Sequence, residues 1–321
     1  MKRRAFLAAL GCAAAWPLGA RAQPGPRRVS VLVFGAAPSR DFELIAELQN
    51  LGYREGRDVA YTIRGADGDI ERLPRLAREV VAAAPQVIVG STSPVAFALM
   101  ETTRDTPIVM MVVGDPVALE LTDRLSRPSR NITGFTVSSS SIAAKRLELL
   151  RELLPTVHKV AYLWVPANPN SVHFGAQVRV AAEQLGIELV SLPIKAGTDI
   201  AAAFETAEKE RVQAVVIESD PVTVHYSGNI ADECLVRNWP AVHAWPFEVQ
   251  LGALIAYGPA AAENFKGTAS YVDRLLRGAR IADLPFQEPT QIRLAINLRT
   301  ARSLGLTVPA TLLARADEVI E

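Results

Sequence analysis

The sequence predicts an α/β protein built as two doubly wound parallel-sheet lobes joined by a hinge. Three observations lead there. Short apolar runs with a β-branched bias alternate with helix-spaced segments along the chain, which is the signature of parallel sheets with right-handed crossovers. The runs are apolar almost throughout, as strands covered on both faces are. About ten of them fall in two sets of five, with a break over 136–158, and the tail after 259 is irregular enough to recross between lobes. A (β/α)₈ barrel also fits the 321-residue length, but not that tail.

The elements follow in order. Val29 to Phe34 is a strand. The next helix carries Leu44, Ile45, Leu48 and Leu51 on one face, with Gly52 at its C-terminal cap. Asp58 to Ile63 is a strand, and Asp69 caps a helix whose core face is Leu73, Leu76, Ala77, Val80 and Val81. Gln86 to Gly90, Pro107 to Val113 and Asn131 to Thr136 are strands. Helices over Pro94–Thr102 (capped by Ser93) and Val117–Leu125 separate them, and a long helix runs from Ser141 to Leu154. The second series has strands at His158–Val165, Ile187–Leu192, Ala214–Glu218, Ala241–His243 and Leu254–Ala256. Its helices are at Ser171–Leu185, Ile200–Arg211 (capped by Thr198), Val222–Arg237 and Trp245–Leu251. Ala261–Arg277 is a long helix, Thr290–Asn297 a strand, and two short helices close the chain.

Residues 1–22 read as a leader outside the fold. Lys2, Arg3 and Arg4 form a cationic start, Ala5 to Gly19 is uncharged, and Ala20-Arg21-Ala22 is a small-x-small cleavage site that leaves Gln23 first. Arg3-Arg4-Ala5-Phe6-Leu7 resembles a twin-arginine core, with Lys2 where Ser or Thr is usual, so the Tat and Sec routes both fit. Cys12 after Leu10-Gly11 faintly resembles a lipoprotein box. Ala20-Arg21-Ala22 is the better cut, which disfavours a lipid anchor. No apolar run is long enough to span a bilayer. The reading is a periplasmic protein with no transmembrane segment.

Basic and acidic residues balance at 34 each, and cleavage tips the remainder slightly acidic. With few aromatics and no basic patch, nucleic acid is excluded as a partner. Cleavage also leaves Cys234 as the one cysteine, read as a small buried hydrophobe, so no intrachain disulfide forms.

Ligands of open α/β sheets bind beyond the carboxyl ends of strands. Gly90-Ser91-Thr92-Ser93-Pro94 places three hydroxyls before a helix N-terminus, where a carboxylate or phosphate binds and where Ser93 alone accounts for a cap. Gly114-Asp115-Pro116 and Glu218-Ser219-Asp220-Pro221 put an Asp-Pro at a strand end in each lobe. Each Asp caps its turn; as a pair they could bind an ammonium group. Asn168 either presents an amide or makes an Asx turn. Phe247 offers aromatic surface, and Tyr257-Gly258-Pro259 falls at a crossover. No nucleophile elbow, P-loop, zinc motif or dinucleotide fingerprint is present. His158, His173, His225 and His243 lack metal-ligand spacing, so no catalytic residue, metal or cofactor is assigned.

Several segments carry a resemblance. They are Ala15-Trp16-Pro17-Leu18, Leu51-Gly52-Tyr53-Arg54-Glu55-Gly56, Gly114-Asp115-Pro116 and Asn131-Ile132-Thr133-Gly134-Phe135. Ile296-Asn297-Leu298-Arg299-Thr300-Ala301, Leu304-Gly305-Leu306 and Ala316-Asp317-Glu318-Val319-Ile320 complete the set. Together they resemble the ABC transporter substrate-binding proteins that include tryptophan- and tyrosine-binding members. The resemblance implies a type I periplasmic binding protein architecture whose lobes are crossed three times and close on a small-molecule ligand. The expected N-terminal lobe is 27–137 plus about 259–286, and the C-terminal lobe 138–258 plus about 287–321. It also implies an ABC permease and its ATPase as partners of a monomeric chain, and a ligand site of Ser91, Thr92, Asp115, Asn168 and Asp220, with Phe247 and Tyr257 beside it. An α-amino acid fits that set. A sensing subunit for a membrane receptor shares all these residues, and a secreted enzyme is a third reading. A repressor of the same fold is disfavoured, since a leader stands where a helix-turn-helix would be.

Overall fold

The computed structural model describes residues 25–37, 42–137 and 140–321; the leader expected over 1–22, with Cys12, lies outside them. The first sheet holds five parallel strands: β1 (Arg27–Val33), β2 (Val59–Gly65), β3 (Val87–Gly90), β4 (Ile108–Val113) and β5 (Ile132–Thr136). Their order is β2-β1-β3-β4-β5. The second sheet contains β6 (Lys159–Trp164), β7 (Glu188–Pro193), β8 (Ala214–Ile217), β9 (Ala241–His243), β10 (Ile255–Pro259), β11 (Ile292–Asn297) and β12 (Glu318–Ile320). Its order is β12-β11-β10-β9-β8-β6-β7.

Both faces of the sheet's inner strands are covered, which is why β1, β3 and β4 read as largely apolar runs. Successive side chains of β1 take opposite sides. Leu32 joins the cluster of helices α2 (Leu73–Ala82) and α3 (Ser93–Thr102). Val29, Val31 and Val33 join that of α1 (Glu43–Asn50) and α9 (Ala261–Leu276). The predicted cap at Gly52 is present: its φ is +96° and its N–H reaches the Gln49 carbonyl at 2.9 Å.

The helices of the second sheet are α4 (Ser140–Leu153), α5 (Pro169–Gln184), α6 (Ile200–Lys209), α7 (Pro221–His225), α8 (Ser227–Val236), α10 (Leu298–Ser303) and α11 (Ala310–Leu313). The chain leaves β10 for α9, whose Ala269, Val272 and Leu275 pack in the first sheet's cluster. The stretch after α9 stays there: Thr133 Oγ1 donates to the Leu284 carbonyl at 2.6 Å, and Phe135 bridges to Gln287. The chain then returns as β11, antiparallel to β10. Gly258 sits at the departure, where a Cβ would lie 1.9 Å from the Ala244 carbonyl oxygen.

Several local expectations are corrected. Val117–Leu125 forms turns rather than a helix. Asp115 Oδ1 accepts the Val117 and Ala118 N–H groups at 2.9 and 3.1 Å, and Glu120 at φ +54° ends the turn. The helix expected over Val222–Arg237 breaks at Tyr226 into α7 and α8. Pro246–Leu251 is a 3₁₀ helix. Asp199, not Thr198, secures the turn before α6, accepting from the Lys195 and Ala196 backbones. Ser93 is the first residue of α3 rather than its cap, and its Oγ accepts the Gly114 N–H at 3.1 Å. The edge strand β12 was not anticipated.

Candidate functional site

A cavity of about 200 Å³ lies between the carboxyl ends of β3 and β4 on one side and the turns after β8 and β9 on the other. This is where open α/β sheets leave room for ligands. Its walls are mostly apolar: Met111, Val112 and Val113 from the end of β4, Val137 after β5, Val224 on α7, and Trp245 and Phe247 after β9. Asn264 and Phe265 enter from the first turn of α9.

The polar groups stand at the strand ends. The Ser91 N–H donates to the Leu32 carbonyl, and Ser91 Oγ accepts the Phe34 N–H at 3.0 Å, which leaves the hydroxyl proton free to donate. Thr92 precedes α3 in extended conformation, and its buried Oγ1 has no hydrogen-bond partner. Asn264 is 4% exposed and its Nδ2 is likewise unpartnered. A buried donor without a partner costs about 1–3 kcal/mol. Two of them lining one cavity call for an acceptor inside it, next to a helix N-terminus that favours negative charge.

Asp220 faces the same space from the other lobe and is 2% exposed. Its Oδ2 accepts the Asn168 amide at 2.8 Å and the Ser171 hydroxyl at 3.3 Å. Oδ1 accepts the Val222 N–H at 2.8 Å, capping α7. An ionised carboxylate offers about four acceptor positions. The Thr223 N–H completes the capping box, so these bonds take up the carboxylate's ordinary acceptor positions, and what an ionised Asp220 offers the cavity is its negative charge. Burial pushes the Asp220 carboxyl above its usual range, against the opposing pull of these hydrogen bonds. Trp245 is fixed by its Nε1–H to Ser219 Oγ at 3.0 Å, and its ring lies 6.3 Å from that of Phe247.

A second tier of buried ionisable groups supports this wall. Glu248 Oε2 accepts the Ala244 and Trp245 N–H groups at 3.0 and 2.7 Å, holding the Trp245 turn. Arg146 on α4 donates from Nε to the Tyr257 carbonyl at 2.9 Å and from Nη2 to the Ala244 carbonyl at 3.2 Å. It thereby ties the segment after the first crossing to the strand before the second. Burial pushes Glu218 up to about 8 even with the Arg146 guanidinium opposing it, and Glu218 Oε2 accepts the Tyr162 hydroxyl.

Of the residues singled out from sequence, Ser91, Thr92, Asn168, Asp220 and Phe247 line the cavity together. Asp115 and Tyr257 are not among its lining residues. The Asp115 carboxylate is spent on its own turn, and Tyr257 packs on the second sheet's core. Met111–Val113 and the Asn264-Phe265 pair were missed. The strand end carried no polar flag. Asn264 reaches the cavity only because α9 returns across the cleft, and its one trace in sequence is a lone amide in the first turn of an amphipathic helix. Among the described residues, no group of three or more His, Cys, Asp or Glu is placed to hold a metal ion.

Comparison with known proteins identifies the family. Residues 28–320 match the family model of the ABC transporter substrate binding protein. A tyrosine-binding protein of Clostridioides difficile (strain R20291) is 22% identical over 262 residues, covering 82% of this chain and 75% of that one. The crystal structure of a conserved domain protein from Vibrio cholerae is 27% identical and superposes with a TM-score of 0.85, covering 91% of this chain and 99% of that one. An ABC domain from Streptococcus pneumoniae, solved in complex with L-Trp, is 23% identical with a TM-score of 0.83, covering 92% and 100%. That architecture, and a family match from the first strand to the last, place the chain among the two-lobed extracytoplasmic binding proteins: it belongs to the ABC transporter substrate-binding protein family.

Proposed function

We propose that this substrate-binding protein captures an apolar, preferably aromatic, α-amino acid for an ABC permease and its ATPase. The observation that carries the proposal is the pairing of charge preferences across one apolar cavity. Thr92 Oγ1, Asn264 Nδ2 and the start of α3 favour a carboxylate, while the negative charge of an ionised Asp220 at the cavity wall favours an ammonium. Met111, Val112, Trp245 and Phe247 form walls for the side chain. The relatives described as tyrosine-binding and as an L-Trp complex support the same class.

In this reading the ligand bridges the lobes 27–137 with 259–286 and 138–258 with 287–321, and favours the closed state by its contacts to both. Asn168 and Ser171 orient Asp220 rather than touch the ligand first. The protein performs no chemistry on its ligand and works as a periplasmic monomer, exported by the leader over 1–22.

A thermal-shift series on the chain from Gln23 tests this with L-Trp, L-Tyr, L-Phe, L-Leu, L-Glu and L-Lys. A ligand at a hundred times its Kd adds about 2.7 kcal/mol to stability. A rise in Tm with the apolar amino acids and none with L-Glu or L-Lys is expected. A response confined to charged or non-amino-acid ligands would overturn it.

A further inference from the structure

An adjoining chamber of about 330 Å³ opens beside the cavity on the N-terminal-lobe side. Thr92, Met111, Val112 and Val224 line both spaces. Small-molecule sites usually enclose about 300–1,000 Å³. The inner cavity alone falls short of that range, and the two together lie within it.

The adjoining chamber is walled as the inner one is. Phe34 and Phe42 contribute aromatic surface, and Phe42 packs edge-on to Phe265 with ring centroids 5.3 Å apart. His225 closes it from α7: its ring lies within contact of Gly35 and Gly68, where a Cβ would come 3.7 and 3.3 Å from its atoms. No Asp, Glu, Lys or Arg lines it among the described residues. Aromatic surface left facing water in a cleft is costly, and an apolar ligand group recovers it.

The polar groups are concentrated at the junction. Ser91 and Thr92 line both chambers, Ser91 with a hydroxyl proton to give and Thr92 Oγ1 with no partner. A free amino acid places its carboxylate there and one apolar arm in the inner cavity, leaving the second chamber empty. A ligand with a carbonyl at the junction and apolar groups on both sides uses every one of these features.

We propose that the two chambers are filled by one ligand: an amino acid extended at its carboxyl end by a second apolar group, of which an apolar dipeptide is the simplest. This rests on the amino-acid reading of the inner cavity. The N-terminal residue keeps its ammonium at Asp220 and its side chain against Trp245. The peptide carbonyl accepts from Ser91 and Thr92, and the second side chain lies between Phe42 and His225.

Isothermal titration of the chain from Gln23 with L-tryptophan, L-tryptophyl-L-leucine and L-tryptophyl-L-glutamate tests it. The apolar dipeptide is expected to bind at least tenfold tighter than L-tryptophan, and the acidic dipeptide no tighter than L-tryptophan. Phe42→Ala and, should that variant fold poorly, the exposed His225→Ala should erase most of the tenfold gain and leave L-tryptophan affinity unchanged. If L-tryptophan binds and the apolar dipeptide binds no tighter, the extended-ligand proposal falls and the amino-acid reading stands. If the dipeptide's advantage survives both substitutions, the second chamber is not its site and the proposal falls. If neither compound binds, the amino-acid reading fails with it.

Discussion

The Asn168 side-chain amide donates to Asp220 Oδ2 at 2.8 Å, so one buried residue of the cavity wall holds the carboxylate of another at a fixed angle. Two strand-end loops meet in that bond, the one after β6 and the one after β8.

Replacing Asp220 with Asn keeps the size and the helix-capping ability of the side chain, since Asn and Asp cap about equally well. It removes the charge. Loss of one partner from a buried charge pair costs about 2–5 kcal/mol, so amino-acid affinity should fall by about 30-fold or more. The unliganded protein should also lose about 1–3 kcal/mol of stability, because the new amide NH2 cannot accept from Asn168 and Ser171 as Oδ2 does. Titration calorimetry beside a melting curve separates the two effects. Unchanged affinity would remove Asp220 from the ammonium site.

Binding should also depend on pH in a definite direction. Burial raises the Asp220 carboxyl, so the free protein takes up a proton at higher pH than an exposed Asp does. An ammonium ligand needs the ionised form. Affinity should therefore climb as pH rises through that elevated value and then level off, with protons released on binding. Calorimetry in two buffers of different ionisation enthalpy detects the release. The Asp220→Asn variant should show a flat profile over the same range.

Glu218 gives a stability prediction with its own sign. Its carboxyl is raised to about 8 in the folded protein, mainly by burial, against about 4.3 for an unperturbed Glu. Between those values the native state holds a proton that the unfolded chain has lost. This contribution is therefore full at low pH and is lost as pH rises toward 8. The Glu218→Gln variant lacks it, so the stability difference, variant minus wild type, should grow in the variant's favour from pH 5 to pH 8. Urea titrations at several pH values read the slope.

At Gly258 an added methyl group has nowhere to go, because the Ala244 carbonyl oxygen occupies its position at 1.9 Å. Overpacking of this kind costs about 1–3 kcal/mol. Gly258→Ala should lower the denaturation midpoint accordingly. Gly228→Ala, where nothing lies within 4 Å of the new carbon, serves as the control free of overpacking, and in helix α8 it should leave the midpoint unchanged or slightly raised.

The parallel sheets were legible because both of their faces are buried, so strands such as Val29–Phe34 are apolar but for Ser30, whose hydroxyl donates to the Val80 carbonyl. The Asp-Pro turns were legible too, but the sequence made them look equivalent when they are not. Asp115 and Asp220 both cap a turn; only Asp220 is carried into the cleft, because Asn168 and Ser171 from another loop hold it there. Such a distinction arises from contacts between distant segments, which no local pattern encodes. The same reason hid Asn264, placed by a helix that recrosses between sheets. At the break the Tyr226 ring packs onto Gly197, where a Cβ would lie 2.2 Å from its Cζ, another contact between distant segments.

The three residues of β12 have a consequence for handling the protein. They pair with Ala295, Ile296 and Asn297 of β11, and form the outermost strand of the seven. An uncovered strand presents a row of free amides and carbonyls to any other extended chain. Trimming the protein after Asp317 would bare β11 and invite self-association through it. An affinity tag joined directly at Glu321 would prolong the same border, so a short proline-containing spacer is the safer junction.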